Sequence, residues 1–350
     1  MMNKPILNFI AKLALLSAPI ILLVVFYVTT DPFKVVYKYS AYYESGKPST
    51  VILNRDYVST EMFLKNDPVY HYEAFIFGNS RSLFWQIEDW KSYIRTDQCF
   101  HFDASGESIY GIYQKFNLLT QRKVSIKHAI IILDSETLKT VENSRGHLLL
   151  KHPLLSGQSW LSFQMEYLKT FFSGKFLLAY IDYKLTGKIK PYMTENYILD
   201  NRPMDYDIKW NQIKFTYFEK IISDNRDSYY EPRSKIFFSR DQVQEASPAV
   251  ISDKQKEMLL TIRKIFEQNH TDYRIVINPL YDQKKFSQID LEYLKTLFGK
   301  DHVFDFSGIN SITRDKYNYY EESHYRPQVS RKMLSVMYSE KDSPEKRKNR

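Results

Sequence analysis

The chain has 350 residues, of which 43% are hydrophobic and 26% charged, a balance typical of a globular protein rather than a disordered one. Its formal net charge is +8, but basic and acidic residues are interspersed, and no zinc-finger spacing, RNA-binding signature or basic helix occurs. This pattern argues against nucleic acid as a partner. The one concentrated basic run, Lys346–Arg350, lies in a tail at 339–350 and is typical of a solvated terminus.

The first predicted element is a membrane anchor over residues 1–30. Leu13–Thr30 carries no charge over 18 residues, close to the roughly 20 that cross a bilayer. The segment Tyr27–Thr30 lacks the small residues of a signal-peptide cleavage site, so we favour an uncleaved anchor over a cleaved signal peptide. The short tail with Lys4 and Lys12 favours a cytoplasmic N-terminus. These features predict a single-pass protein of the inner (cytoplasmic) membrane whose remaining chain faces the outside or the periplasm.

Residues 31–72 are predicted to form a lead-in segment that packs along the following domain. They contain Gly46, Pro48 and Pro68 and show no long periodic run of apolar residues.

From Glu73 onward, short apolar runs alternate with helix patterns, which predicts an α/β domain over 73–338. Such an alternation is typical of a three-layer sandwich with a mainly parallel sheet between helices. The predicted strands are Ala74–Phe77, Cys99–Phe102, Ala129–Leu133, Tyr273–Ile277 and His302–Phe306. The predicted helices are Ser82–Ile94, Ser108–Leu119, Ser252–Gln268, Leu291–Phe298 and Gln328–Tyr338.

Residues 143–249 interrupt this alternation and are predicted to form a mainly helical insertion. An aromatic helical pattern over Trp160–Phe172 is its clearest element. Ligands of such sheets bind outside the carboxyl ends of the strands. The insertion therefore either shapes access to a substrate or is a structural elaboration without substrate contact.

A candidate nucleophile follows the first strand, in the sequence Gly-Asn-Ser at 78–80. The hydroxyl of Ser80 is expected at the start of a helix, where backbone N–H groups and the helix dipole favour negative charge. A serine at this position is also a common helix cap, so the motif alone does not specify a reaction.

A candidate base lies near the C-terminus, in the sequence Glu-Glu-Ser-His at 321–324. Glu321 and His324 are expected in a loop before a helix that starts near Pro327. An acid three residues before a histidine is also common as a surface pair. Together with the serine, however, it predicts an acyl-transfer triad in which Ser80 attacks, His324 takes the proton and Glu321 orients the imidazole. This chemistry requires no cofactor, and His147 and His152 lack a zinc-binding pattern.

These two motifs resemble those of the SGNH (GDSL-like) hydrolase superfamily. Its nucleophile lies in a Gly-Asp-Ser-type motif after the first strand, and its base in an Asp-x-x-His motif near the C-terminus. The resemblance covers Glu73–Leu133 and Tyr273–Tyr338 and implies a flavodoxin-like sheet. With its anchor, the chain is particularly similar to membrane-anchored members that act on envelope polymers, including the teichoic-acid D-alanylation and polysaccharide O-acetylation groups. This likeness implies an acylated glycan or envelope polymer as substrate and a membrane-bound protein as acyl donor.

The chain differs from the family pattern at three positions. Asn79 and Glu321 each replace a usual aspartate, and Leu133-Asp134-Ser135 replaces a third motif that normally supplies an asparagine. The resemblance implies an oxyanion hole formed by the N–H groups of Ser80 and Gly106. Because an ionised Asp134 would repel an oxyanion, either Ser135 or a backbone N–H replaces the third donor, or the hole has two donors. Three further residues are candidates for substrate binding: Asn79, Arg81 and Asp134. For Asp134, a helix N-cap is an equal alternative.

Two functions therefore emerge from the sequence. One is a serine esterase or O-acyltransferase that acts on an acyl group of an envelope polysaccharide. The other is a non-catalytic assembly or glycan-binding subunit with the same fold. The missing asparagine favours the second function, whereas the serine, glycine and histidine favour the first.

Overall fold

The computed structural model describes residues 4–195, 198–238, 240 and 243–339. Residues 340–350 of the predicted basic tail lie outside this part of the chain. The chain divides into two compact units. The described residues within 1–42, 49–53 and 159–201 form one unit, here called the helical unit. Those within 43–48, 54–158 and 202–339 form the other, the α/β unit. The segment predicted as one insertion, 143–249, is thus shared between the two units.

The described residues form fourteen α-helices and nine strands. The helices are α1 (Lys4–Thr30), α2 (Arg55–Tyr70), α3 (Ile87–Ile94), α4 (Ile109–Gln121), α5 (Ser135–Lys139), α6 (Pro153–Ser156), α7 (Trp160–Phe171), α8 (Gly174–Thr186), α9 (Pro191–Thr194), α10 (Thr216–Asp224), α11 (Arg226–Tyr230), α12 (Asp253–Asn269), α13 (Gln288–Phe298) and α14 (Pro327–Ser339). The strands are β1 (Ala74–Phe77), β2 (Cys99–His101), β3 (His128–Leu133), β4 (Asp205–Asp207), β5 (Gln212–Lys214), β6 (Asp272–Ile277), β7 (Val303–Asp305), β8 (Tyr319–Glu321) and β9 (His324–Tyr325). Short 3-10 helices cover Ser80–Phe84, Glu231–Arg233, Lys300–His302 and Lys316–Asn318.

In the helical unit, α1 is long and apolar enough to cross a membrane. The α7–α8 pair packs against its C-terminal end through aromatic rings. Phe26 contacts Phe171 and Tyr180 at centroid distances of 6.2 and 5.9 Å. Just beyond the helix, Phe33 stacks on Phe176 at 4.7 Å.

In the α/β unit, five parallel strands form one sheet in the order β2-β1-β3-β6-β7. This order is the flavodoxin-like arrangement, in which the chain reverses direction across the sheet between β1 and β3. A crevice opens at such a point, outside the carboxyl ends of the strands. The fold therefore places the segments that follow β1 and β3 at a favourable position for a site.

Both faces of this sheet are covered by helices. On one face, Ile76 of β1 belongs to the same buried cluster as Trp90 of α3 and Met333 of α14. On the other face, Phe77 packs on Phe116 of α4 at a centroid distance of 4.4 Å. Because both faces are buried, β1 and residues Ala129–Leu133 of β3 are unbroken apolar runs rather than alternating ones. The α/β fold with a parallel central sheet, predicted from the sequence, is confirmed.

Helix α2 was not expected, since it lies in the predicted lead-in segment. It lacks an apolar stripe because it is buried on nearly all sides and its polar residues are paired inside the protein. Arg55, for example, donates two hydrogen bonds of 2.8 Å to Asp103. Apolar periodicity identifies a helix that has one solvent-exposed face, and α2 has no such face over most of its length.

The helix predicted at Ser82–Ile94 is interrupted. A 3-10 turn over Ser80–Phe84 comes first, and α3 begins only at Ile87. Between them Trp85 is extended and completely buried, and its indole N–H donates to the Tyr325 hydroxyl at 2.7 Å. This long-range contact fixes the break.

Candidate active site

Three side chains predicted from the sequence meet at the carboxyl edge of the sheet. Ser80 Oγ lies 2.8 Å from His324 Nε2, and His324 Nδ1 is hydrogen-bonded to Glu321 Oε1. The side chains of His324 and Glu321 are 30% and 32% exposed, so the group is open to solvent. The structure thus brings together residues that are 244 positions apart in the chain.

The turn after β1 presents Ser80 as the first residue of the 3-10 helix. Asn79 caps this turn because its Oδ1 accepts the N–H of Arg81 at 3.0 Å. Gly78 allows the turn to lie close to β3, since a Cβ at Gly78 would lie 3.0 Å from the Cβ of Ile132. A larger residue at Gly78 would therefore move the serine.

Glu321 and His324 are opposite each other in the antiparallel β8–β9 hairpin. The sequence predicted a loop before a helix at this point, and α14 does begin at Pro327, but the loop is a tight hairpin. The N–H of Ser323 donates to Glu321 Oε2 at 2.8 Å, which leaves Oε1 for the imidazole. The hairpin therefore brings the carboxylate and the imidazole together through its own backbone register.

Burial alone would raise the pKa of Glu321. The hydrogen bond and charge of His324, together with the Ser323 N–H, outweigh it and hold that pKa below its ordinary value. Glu321 is therefore ionised at neutral pH. A carboxylate that accepts the Nδ1–H of an imidazole leaves Nε2 as the acceptor for a hydroxyl proton. The arrangement can thus activate Ser80 as a nucleophile and stabilise the imidazolium that forms.

Beside these residues, Asp134 is the centre of a buried hydrogen-bond network. Its carboxylate accepts from Asn79 Nδ2 at 3.0 Å, Arg81 Nη1 at 2.8 Å, Asn278 Nδ2 at 3.1 Å and the N–H of Thr137 at 2.9 Å. Burial tends to raise the pKa of Asp134, but Arg81 and these donors hold it below the ordinary value. Its charge is thus paired inside the protein. Asp134 is also the N-cap of α5, which is the alternative role that the sequence left open.

Arg81 connects this network to the hairpin. Its Nε donates to the carbonyl oxygen of Ser323 at 2.9 Å, while Nη1 pairs with Asp134. Of the three predicted substrate-binding residues, Asn79 and Asp134 are 4% and 2% exposed, whereas the Arg81 side chain is 19% exposed. Asn79 and Asp134 therefore hold the protein together internally, and Arg81 is the one predicted substrate-binding residue of the three whose side chain reaches the surface.

The candidate oxyanion donors lie in the loops that follow the next strands. Gly106 has a φ of +54°, which favours glycine, and a Cβ there would lie 2.8 Å from Leu149 Cδ2. Its loop is tied to the serine turn because the N–H of Ala104 donates to the carbonyl of Gly78 at 3.2 Å. Ser135 is the first residue of α5. That these groups bind an oxyanion stays a prediction.

Sequence reasoning missed Asn278 and Tyr325. The hydroxyl of Tyr325 donates to Asn278 Oδ1 at 2.9 Å and accepts from Trp85 Nε1. Asn278 directly follows β6, just as Asp134 follows β3. A polar residue after a buried apolar strand was the available signal. Phe84 completes the surroundings, with its ring packed edge-on against His324 at 5.6 Å.

A second serine–histidine pair lies close in sequence to the first. Ser82 Oγ is 3.1 Å from His101 Nε2, and both residues are fully buried. Burial lowers the pKa of His101 to about 4, so its imidazole is neutral at pH 7. Among the residues that the structure describes, nothing hydrogen-bonds to His101 Nδ1. This pair belongs to the core.

The fold and the site define an α/β protein in which a serine, a histidine and a carboxylate are linked by hydrogen bonds at the edge of a parallel sheet. Within the described ranges, no cluster of three or more histidine, cysteine, aspartate or glutamate residues is suited to hold a metal ion. No family model and no curated protein matches the chain. The sequence motifs and this geometry are therefore what indicates its function.

Proposed function

We propose that this protein is an SGNH-like serine esterase or O-acyltransferase, anchored by α1, that acts on an acyl group of a cell-envelope polysaccharide. The observation that carries the proposal is the hydrogen-bonded series Ser80–His324–Glu321, which is open to solvent beside the crevice of a flavodoxin-like sheet. Acyl transfer is the chemistry that such a series performs in proteins of unrelated folds.

In the first half of the proposed reaction, Ser80 Oγ attacks the carbonyl carbon of the acyl group while its proton passes to His324 Nε2. The N–H groups of Ser80 and Gly106 stabilise the oxyanion of the tetrahedral intermediate. His324 then gives the proton to the departing alcohol oxygen, and the acyl group remains on Ser80 as an ester.

In the second half, His324 removes a proton from the acceptor as it attacks this ester, and Ser80 Oγ regains the proton. Water as acceptor makes the protein an esterase, and a sugar hydroxyl makes it a transferase. Throughout, Glu321 stabilises the imidazolium. Arg81 and Asp134 are positioning residues, because they hold the turn of the hairpin that carries both His324 and Glu321.

The anchor supports a place at the inner (cytoplasmic) membrane, with the domain facing outside or into the periplasm. The polymer substrate and a membrane-bound acyl-donor protein follow from the resemblance to anchored envelope enzymes. The second candidate function, a non-catalytic assembly or glycan-binding subunit, is favoured by one observation. The third-motif position holds Asp134, whose carboxylate accepts bonds inside the protein and offers no donor to an oxyanion.

Labelling with a fluorophosphonate probe distinguishes these functions, since only an activated serine reacts readily. The full chain in detergent micelles should be labelled, and Ser80→Ala should abolish labelling. Ser82→Ala is the matched control, because Ser82 also contacts a histidine but is buried, and it should retain labelling. An unlabelled wild-type protein, or a labelled Ser80→Ala variant, would overturn the serine mechanism and favour the binding subunit.

A further inference from the structure

The α7–α8 hairpin carries apolar residues on two sides. Its inner side is buried within the helical unit and includes Phe163, Tyr167, Phe171 and Phe176. Its outer side is also apolar, although it is exposed. The exposed fractions are 74% for Leu161, 42% for Met165, 68% for Leu178 and 81% for Leu185.

The outer residues are regularly spaced. On α7, Leu161 and Met165 are four positions apart, and on α8, Leu178 and Leu185 are seven apart, so each pair lies on one face of its helix. A helix at a water-exposed surface normally has a polar outer face. Large apolar residues grouped on an exposed helix face are candidates to contact a membrane or another protein.

The contact with α1 indicates which of these covers the outer side. Phe26 and Tyr27, which pack against Phe171, lie within four residues of the end of α1. At 1.5 Å per residue this is about 6 Å along the helix axis. If α1 crosses a bilayer, its last turn lies at the boundary between acyl chains and headgroups. A hairpin packed on that turn lies at the same depth.

The polar residues of the hairpin fit this boundary. The hairpin has three lysines, and two more follow within four residues of its end, against one glutamate and one aspartate over 160–190. All five lysines are exposed. Apolar residues combined with lysines are typical of helices that lie in the plane of a membrane interface. Trp160, 44% exposed at the start of α7, is a residue type enriched at that level.

We propose that the α7–α8 hairpin lies in the interfacial layer of the membrane and inserts Leu161, Met165, Leu178 and Leu185 among the lipids. The inference rests on the anchoring role of α1 in the proposed function. It adds a second membrane contact that is distant in sequence from the first. Two contacts fix the orientation of the helical unit on the membrane, which a single helix would leave free to rotate.

Depth-dependent fluorescence quenching tests this. Single cysteines replace Leu161, Leu178 or Leu185 in the full chain, in which Cys99→Ala removes the only native cysteine. Each is labelled with the polarity-sensitive dye NBD and reconstituted in vesicles of phosphatidylcholine and phosphatidylglycerol. The label at each position should emit at shorter wavelength than in water. Nitroxide lipids labelled near the headgroup should quench it more than lipids labelled at the chain end.

Two further positions serve as references. Leu16→Cys, near the middle of helix α1 and within its uncharged run, should be quenched most by the deep nitroxide. Ile289→Cys on α13, an exposed apolar site in the α/β unit (75% exposed), should be quenched by neither. Hairpin labels that behave like Ile289 while Leu16 is quenched would overturn the interfacial hairpin and leave the anchor intact. An unquenched Leu16 would overturn both.

A protein partner gives a different result. In that case the hairpin labels emit at short wavelength already in detergent micelles and are not quenched by the nitroxide lipids in vesicles, and light scattering shows that the protein is a dimer. A second copy then covers the surface, and the proposal is wrong. Fluorophosphonate labelling of the same samples reports on Ser80 separately, so loss of the hairpin contact and loss of the serine mechanism remain distinguishable.

Discussion

Ser80 and Ser82 lie two residues apart, and each contacts a histidine, at 2.8 and 3.1 Å. Around these contacts the two regions differ completely. His324 is 30% exposed and bonded to a carboxylate, whereas His101 is fully buried and its pKa is lowered to about 4 by burial. A hydroxyl–imidazole distance alone does not distinguish a nucleophile from a structural serine.

The difference between the two pairs is whether the imidazole can become charged. When a hydroxyl attacks an acyl group, its proton moves to the histidine, which becomes cationic. At His101 this would create a charge in a dry interior, which is strongly unfavourable. At His324 the charge would face Glu321 and solvent. The Ser82 pair therefore holds the turn after β1 against β2, whereas the Ser80 pair is the one to which the proposed function assigns a reaction.

The largest effect is expected for His324→Ala. Under the proposed mechanism it removes the base, so kcat/KM for a small ester such as 4-nitrophenyl acetate should fall by at least about 10³-fold. The Ser80→Ala/His324→Ala double variant should be little worse than either single one, because triad residues act as a unit. Two losses that multiply in the double variant would contradict a shared role.

Asp134→Asn should destabilise the fold around Ser80 and His324. It leaves the half-buried Arg81 without its ionised partner, and the free energy of unfolding should fall by about 3 kcal/mol. Urea unfolding at neutral pH measures this.

The same variant should change the acid dependence of stability. Because the pKa of Asp134 is lowered in the folded state, its contribution is complete above the ordinary aspartate pKa of about 3.9 and is lost as the pH falls through the lower folded value. Stability plotted against pH should therefore fall less steeply in acid for Asp134→Asn than for wild type. Parallel curves would show that the ion pair is not formed in solution.

Glu321 variants test what the carboxylate adds to the proposed reaction of Ser80 and His324. Glu321→Gln can still accept the Nδ1–H but carries no charge to stabilise the imidazolium, so turnover should fall by about 10²-fold, or about 2.7 kcal/mol in the barrier. Glu321→Asp keeps the charge and should remain within about tenfold of wild type. Equal activity of Glu321→Gln and wild type would remove Glu321 from the mechanism.

Ser82→Ala should give the smallest effect on activity and a measurable one on stability. It leaves the buried His101 Nε2 without its hydrogen bond, which costs about 1–3 kcal/mol. Turnover should be unchanged, since the proposed mechanism gives the Ser82 pair no part in the reaction. Urea unfolding and ester hydrolysis on the same preparation separate the two quantities, and a loss of turnover comparable to that of Ser80→Ala would refute the distinction between the pairs.

Features set by near neighbours in the chain were predictable. The apolar run Ala129–Leu133 is β3 with one residue added, and α12 begins directly after its predicted cap Ser252, whose side chain bonds to Gln255. Pro327 opens the last helix as expected. Strand content, caps and helix starts depend on residues within about four positions, so the sequence displays them directly. The proximity of Ser80 and His324 was also predictable, because the alternation of strands and helices places both motifs at the carboxyl edge of the sheet.

The tertiary structure decided the rest, because the partners involved are distant in the chain. Asp134 and Asn278 are 144 positions apart, so nothing local indicates that the third-motif position holds a paired internal charge rather than a donor to an oxyanion. Helix α2 shows no periodicity because its polar side chains find buried partners such as Asp103. Whether a serine beside a histidine can react depends on burial and on a third group. Burial is a property of the packed fold, which a local pattern of residues does not encode.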